Sequence, residues 1–394
     1  MSSKFDYIIV GGGIVGLATA YKLQLKHPNK SIAILEKEDV IGKHQTGRNS
    51  GVIHSGIYYN PNSYKAENCR IGREQLVAFA EKYQVRYDAC GKIIVAVTKD
   101  DVTVLESIYQ KGIENKTPGI KFLTAAEIKE KEPFIEGLKA IFVPSAGIID
   151  YVEVGHKFVE LIEQIQPKSK LITSCNVIKV FDDTLETSKG KFTSDQFIFC
   201  TGLFADRIAK KDAINVDLQI VGFRGDYYKL KEKAKHKINN LVYPTPDINF
   251  PFLGVHFTPM INGDVECGPN AVFSFKREGY KNTSFNLRDT FQALTFIGTL
   301  KLFSRNWRKG LDEYKRAFSK RLFVRELQKM MPTITKDDVE YARAGVRAQA
   351  LDSNGNLIDD FKIETHNGHI HVLNAPSPAA TSCMTIADEI VSSI

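Results

Sequence analysis

The first apolar cluster, Phe5, Tyr7, Ile8, Ile9 and Val10, is a near-continuous run that reads as a short buried strand. Gly11-Gly12-Gly13-Ile14-Val15-Gly16 follows it, and Leu17, Ala18, Ala20, Tyr21 and Leu23 then recur at helical spacing. Ser31–Leu35 reads as a second apolar strand, closed by Glu36. Strand, glycine turn, helix, strand and acid within about thirty residues predict a βαβ unit. Further on, the pattern predicts helices over Arg70–Tyr83, Ala125–Lys131 (stopped by Pro133) and Val152–Gln166, the last with Phe158, Val159, Leu161, Ile162 and Ile165 on one side. Strands are expected over Lys92–Val97, Asn176–Phe181 and Gln196–Cys200. Val216–Lys229, Gly254–Pro259 and Asp264–Cys267 are aromatic and β-branched, which suggests an antiparallel sheet. Thr290–Met331 is helical in pattern, with no proline before Pro332. Strand signals return at Ile363–Glu364 and His369–Leu373, and Thr381–Ile394 reads as a closing helix.

Gly11, Gly13 and Gly16 stand in the context that a dinucleotide fingerprint requires. Gly11 permits the tight turn, Gly13 lets backbone approach a pyrophosphate, and Gly16 lets the helix pack closely on the strand. The helix N-terminus offers free N–H groups and a partial positive charge. Glu36 is placed to bond ribose hydroxyls and to repel a 2′-phosphate, and Lys37 beside it is expected among the cofactor-binding residues. Nucleotide-domain elements at both ends of the chain predict an α/β fold of mixed α+β character. A Rossmann-like cofactor domain is expected from 1–80, 145–215 and 340–394. A substrate domain, built on a mixed or antiparallel sheet plus helices, is expected from 81–144 and 216–339 and includes a basic helical block at 290–331.

Composition narrows the class. The 394 residues are 43% apolar and 25% charged, as in a folded soluble protein. No stretch approaches the ~18–20 apolar residues of a membrane-spanning helix. Met1-Ser2-Ser3-Lys4 leads directly into the first strand, so no secretory signal is expected. The six cysteines include no C-x-x-C, so neither a disulfide framework nor a metal site is expected, and a cytoplasmic, reducing compartment fits best. Charge is local: Lys301 to Lys329 holds ten basic residues against three acids, a net +7 that equals the net charge of the whole chain. One basic surface, rather than a nucleic-acid-coating protein, is the consequence.

The strings HQTGRNSGVIHSGIYY (44–59), SAGIIDY (145–151), CTGLFADRIA (200–209), FRGDYYKL (223–230), YPTPDINFPFLGVHFTPMINGDVECGPNA (243–271), GVRAQAL (345–351) and NAPSPAATSC (374–383) carry a resemblance that runs nearly end to end. The chain resembles the flavin-dependent L-2-hydroxyglutarate dehydrogenases, also called oxidases, within the D-amino-acid oxidase-like superfamily. The resemblance implies FAD rather than NAD, oxidation of L-2-hydroxyglutarate to 2-oxoglutarate, and electron delivery to a carrier such as the membrane quinone pool. It places Thr46, Arg48, Asn49, Ser50, Gly51 and His54 in a flavin-contacting loop, with Arg48 also a candidate grip for a substrate carboxylate, and Val177 where relatives meet adenine. Thr201 and Gly202 close a strand where backbone amides can meet the cofactor. Pro378, Ala379, Ala380 and Thr381 precede the last helix, where small residues can bring N–H groups to the flavin's pyrimidine edge.

A dianionic 2-hydroxy acid needs cationic grips and a base. Arg347 matches the arginine that superfamily relatives use for a substrate anion, with Ala348 in place of the usual proline after it. Arg224 lies in an apolar setting that demands an anionic partner, either the second carboxylate or a structural acid. His54 and His256, each among apolar residues, are the candidate bases. Tyr58, Tyr59, Tyr227 and Tyr228 are candidate donors. In 290–331, Phe296, Ile297, Leu300, Leu302, Phe303 and Trp307 interleave with Lys301, Arg305, Arg308 and Lys309, as in a segment lying on an anionic bilayer. Peripheral contact with the inner face of a membrane is therefore expected, against the alternative of a solvated cap. The rival functions are a same-fold enzyme acting on glycerol 3-phosphate or an amine, and a non-catalytic flavin sensor docked through the basic patch.

Overall fold

In a computed structural model, which describes residues 2–246 and 254–394, two sheets dominate. Residues 247–253, inside one of the strings quoted above, lie outside the described residues. Tyr7–Val10 pairs in parallel with Ile32–Leu35 on one side and Gln196–Phe199 on the other. Lys170–Ile172 extends this sheet beyond Ile32–Leu35, and His369–Asn374 and Lys362–His366 complete it beyond Gln196–Phe199. Helices Ile14–Lys26, Tyr64–Tyr83, Tyr151–Ile165 and Cys383–Ser392 share one apolar core with it, through residues such as Leu17, Leu76, Phe158 and Ile386. The predicted βαβ unit is thus the centre of the cofactor-type sheet.

Among the described residues the second sheet has nine strands. Its spine is the antiparallel pair Leu218–Leu230 and Val339–Asp352, with Phe223 opposite Arg347 and Gly225 opposite Gly345. Val265–Gly268, His256–Pro259, Leu241–Pro244, Lys92–Ala96, Lys139–Val143 and Lys121–Thr124 follow across it. Leu241–Pro244 runs parallel to Lys92–Ala96, so the sheet is mixed. Residues 339–352, placed mostly with the cofactor domain on sequence, here form a strand of this second sheet.

Several elements depart from the sequence expectation for identifiable reasons. The helix expected from Arg70 starts at Tyr64, because the Ser63 side chain accepts from the Ala66 N–H and caps it. Lys99–Glu114 is an additional helix, started by a reciprocal Thr98–Asp101 capping box. The block 290–331 is three helices, Leu287–Thr295, Ile297–Phe318 and Lys320–Gln328. Phe296 and Ser319 are extended at the breaks, and Asn306 interrupts the middle helix. Among the described residues no helix is long and apolar enough to cross a membrane.

Candidate active site

The glycine turn works by contact as much as by conformation. Gly11 has φ +117, and a Cβ there would lie 2.3 Å from the Cys200 carbonyl oxygen. A Cβ on Gly16 would lie 2.2 Å from the Gly11 carbonyl oxygen. These two positions weld helix to strand. Gly13 differs: the nearest atom to its Cβ site is Thr46 Oγ1 at 3.5 Å, and the residue opens onto a cavity of about 1500 Å³. That space, beside a helix N-terminus, fits a pyrophosphate.

Around the turn, the expected cofactor residues are brought together, several of them committed to backbone. Glu36 accepts from the Gly12 N–H at 2.7 Å and the Glu38 N–H at 2.9 Å, fixing the acid at the end of its strand. Thr46 Oγ1 accepts from the Ile14 N–H at 2.9 Å, so the helix that lacks its own side-chain cap receives one from the loop. Asn49 donates to Gln45 and Thr46 carbonyls and accepts from the Gly51 N–H, shaping the loop. Gly51 has φ +66 and sits against the Ile149 carbonyl, behind the cavity wall. Val177, Thr201, Gly202 and Ser50 line the cavity. The Thr201 hydroxyl is buried with no hydrogen-bond partner, a donor that suits a ligand oxygen.

Lys37 and Arg48 are clamped. Lys37 Nζ pairs with Glu38 at 2.7 Å and Glu278 at 2.6 Å. Arg48 lies 3.8 Å from the Tyr280 ring centroid and donates to the Lys43 and Ala344 carbonyls. His44, which sequence reasoning passed over, joins the same clamp through Glu38, Glu278 and Tyr280. The cofactor loop is thereby tied to residues 278–280 of the second half of the chain.

Farther along the same cavity, His54, His256, Arg347, Tyr58, Tyr59 and Tyr227 line one chamber. His256 Nδ1 faces the Gly254 carbonyl at 2.9 Å, which makes Nδ1 the donor and leaves Nε2 as the acceptor. Its ring stacks on Tyr243 with centroids 3.9 Å apart. Ser377 Oγ lies 3.5 Å from His54 Nε2. Burial, reinforced by the nearby charge of Lys92, pushes both imidazoles down to about 3, so both are neutral at physiological pH. Burial also pushes Arg347 below the usual guanidinium range. Pro378, Ala379 and Ala380 form a wall beside His54.

Arg224 does not join them. Phe223, Gly225 and Tyr227 share the Arg347 face of the paired strands by their alternation, which turns Arg224 to the opposite face. There it is 6% exposed and pairs with Asp226, Nε to Oδ1 at 3.0 Å, and donates to the Lys281 carbonyl at 2.8 Å. The structural acid, not a substrate carboxylate, is its partner. Thr381 is also turned away: its hydroxyl receives the His54 N–H at 3.1 Å and lies 3.0 Å from the Tyr151 hydroxyl, stapling two loops. Tyr228 packs on Phe323 and Tyr341 instead. Sequence reasoning missed Lys65, which lines the chamber and donates to the Asp359 carbonyl, and Lys92, buried behind Tyr58 and Tyr243. A lysine opening the apolar run Lys92-Ile93-Ile94-Val95 was the available signal.

Residues 6–393 match the family described as FAD dependent oxidoreductase. The chain is 45% identical to an L-2-hydroxyglutarate dehydrogenase of Indibacter alkaliphilus, over 97% of this chain and 96% of that protein. It is 41% identical to the human mitochondrial L-2-hydroxyglutarate dehydrogenase, over 100% of this chain and 89% of that one. Among solved structures, the FAD-bound L-alpha-glycerophosphate oxidase of Mycoplasma pneumoniae superposes with a TM-score of 0.80 at 23% identity, covering 99% of this chain and 94% of its own. The likeness to the glycerophosphate oxidase is one of fold.

Proposed function

Since the chain belongs to the FAD-dependent oxidoreductase family, and within it to the L-2-hydroxyglutarate dehydrogenases, we propose that it oxidises L-2-hydroxyglutarate to 2-oxoglutarate in the chamber of His54, His256 and Arg347. One observation carries this reading. Two imidazoles held neutral and one half-buried arginine face the same cavity that the glycine turn opens into. The turn, the open face of Gly13 and the unpartnered Thr201 hydroxyl fit FAD. When bound there, FAD supplies the acceptor for the hydride that leaves C2 of the substrate. The protein's own groups handle charge and protons. Arg347 grips one carboxylate with its planar fork. His256 Nε2 takes the hydroxyl proton as the C2–H bond breaks and the carbonyl forms. Lys65 is the chamber cation for the second carboxylate, in place of Arg224. Cofactor released by acid should be FAD by chromatography. Turnover of L-2-hydroxyglutarate with an artificial acceptor should yield 2-oxoglutarate stoichiometrically; a protein that retains NAD and no FAD would sink the reading.

The onward electron carrier in this proposal is a membrane quinone. Leu287, Phe291, Trp307 and Phe318 are each more than half exposed, and Arg305, Arg308, Lys315 and Arg321 are exposed among them. Apolar side chains standing in a basic field suit the interface of an anionic bilayer. Phe296, Leu302 and Phe303 instead pack inward against Phe223 and Phe273, so the helices are at once a cap on the second sheet and an outward face.

A further inference from the structure

Lys92 opens the strand Lys92–Ala96 in the interior of the mixed sheet, between Leu241–Pro244 and Lys139–Val143, and is 1% exposed. A lysine at this depth is ordinarily matched by a carboxylate, because the ammonium has lost its hydration. Here Nζ lies 5.2 Å from the Tyr58 ring centroid and 4.3 Å from that of Tyr243, and among the described residues it forms no ion pair with a carboxylate. Aromatic faces attract a cation but leave its net charge uncancelled. The neighbouring Cys69 and Cys90 thiols are pushed up to about 12, chiefly by burial, so they carry no compensating charge. The Tyr58 and Tyr243 hydroxyls are raised by burial in the same way. Tyr243 carries His256 stacked on its ring, and Tyr58 and Tyr243 both line the chamber that holds His54, Lys65 and Arg347.

We propose that Lys92 is a positioning residue for the reaction: a buried cation behind Tyr58 and Tyr243 whose charge reaches His54 and His256 and draws the dianionic substrate into the chamber. The inference rests on the L-2-hydroxyglutarate reading. Two further facts agree with it. Lys92 is the first charged group, after burial itself, that lowers His54, and it also lowers His256. Burial pushes Lys92 down to about 8, so its field fades as pH rises through that value.

The test is Lys92→Met in the FAD-loaded enzyme, with Lys92→Arg as the charge-keeping control. In substrate-free protein with labelled histidine, His54 and His256 should titrate at higher pH in Lys92→Met than in the wild type. KM for L-2-hydroxyglutarate should rise about tenfold with a smaller fall in kcat, the effect of one nearby charge in a partly screened interior. Lys92→Arg should retain a low KM. Wild-type KM should climb above pH 8, and that climb should be absent from Lys92→Met. Unchanged histidine titrations together with unchanged KM in Lys92→Met overturn the inference. If Lys92→Met fails to retain FAD, the wild-type series decides, and a KM that stays flat from pH 7 to 9 overturns it. A wild-type flavin that L-2-hydroxyglutarate leaves oxidised defeats the functional reading instead, while the histidine titrations still report on Lys92.

Discussion

Replacing each of two arginines by alanine should produce opposite kinds of damage, although they sit on neighbouring positions of one strand pair. Arg224 is held by Asp226 at 3.0 Å and by the Lys281 carbonyl at 2.8 Å, and the two charged residues are 6% and 2% exposed. Arg224→Ala leaves Asp226 buried with, among the described residues, the Asn270 amide at 3.2 Å as its remaining side-chain donor. Losing one member of a buried pair costs about 3–5 kcal/mol. For a protein of this size that is a fall in Tm of about 4–6 °C. The double variant Arg224→Ala with Asp226→Ala should recover part of it, since no charge is then stranded. Arg347→Ala removes the proposed grip on one substrate carboxylate, and a hydrogen bond to a charged group is worth about 1.5–3 kcal/mol. Its kcat/KM for L-2-hydroxyglutarate should fall about tenfold to over a hundredfold, with the flavin spectrum intact. Differential scanning fluorimetry and steady-state kinetics on both variants separate the two roles. An Arg224→Ala enzyme with raised KM at unchanged Tm, or an Arg347→Ala enzyme with wild-type kcat/KM, would refute the assignment.

Gly16→Ala should cost stability with or without cofactor, because its Cβ would stand 2.2 Å from the Gly11 oxygen. Gly13→Ala, with 3.5 Å of clearance, should fold normally in apoprotein and show reduced FAD occupancy. Equal Tm losses in the two apoproteins contradict this. His54 and His256 titrate near 3 in the folded chain and near the ordinary histidine value when unfolded. Between those values the unfolded state binds more protons, so apoprotein stability should rise with pH across that window and fall as acid is added. His54→Gln with His256→Gln should flatten the slope of Tm against pH, and an unaltered slope rejects the assigned direction. Binding to anionic vesicles should weaken, and persist only partly in high salt, when Arg305 and Arg308 are reversed to glutamate or Trp307 is changed to alanine. Wild-type protein that ignores anionic vesicles leaves the outward face a solvated cap.

What the sequence disclosed followed from local rules, and what it hid depended on pairing. Gly11, Gly13, Gly16 and Glu36 were legible because fixed spacing and the period of the flanking strands specify a βαβ unit without reference to the rest of the chain. Val339–Asp352 was not legible as a strand: its run of Ala, Gly and Arg has weak strand preference, and its long pairing with Leu218–Leu230 supplies what propensity does not. That register also decides which arginine faces the cavity, so Arg224 and Arg347 look equivalent in the sequence and are not equivalent in the fold. Lys92 escaped notice because a single charge opening an apolar strand reads as a strand boundary, and its burial is created by Tyr58 and Tyr243 from distant segments. The 290–331 block was recognised as helical, but its breaks at Phe296 and Ser319 follow from docking of Phe296, Phe303 and Phe323 onto cores built elsewhere.

Anaerobic reduction of the purified holoenzyme tests the central claim most directly. The flavin absorbance should bleach on adding L-2-hydroxyglutarate, one equivalent of 2-oxoglutarate should appear per flavin, and D-2-hydroxyglutarate, glycerol 3-phosphate and glycine should leave the spectrum oxidised. Bleaching by glycerol 3-phosphate or an amine, with L-2-hydroxyglutarate inert, would contradict the account.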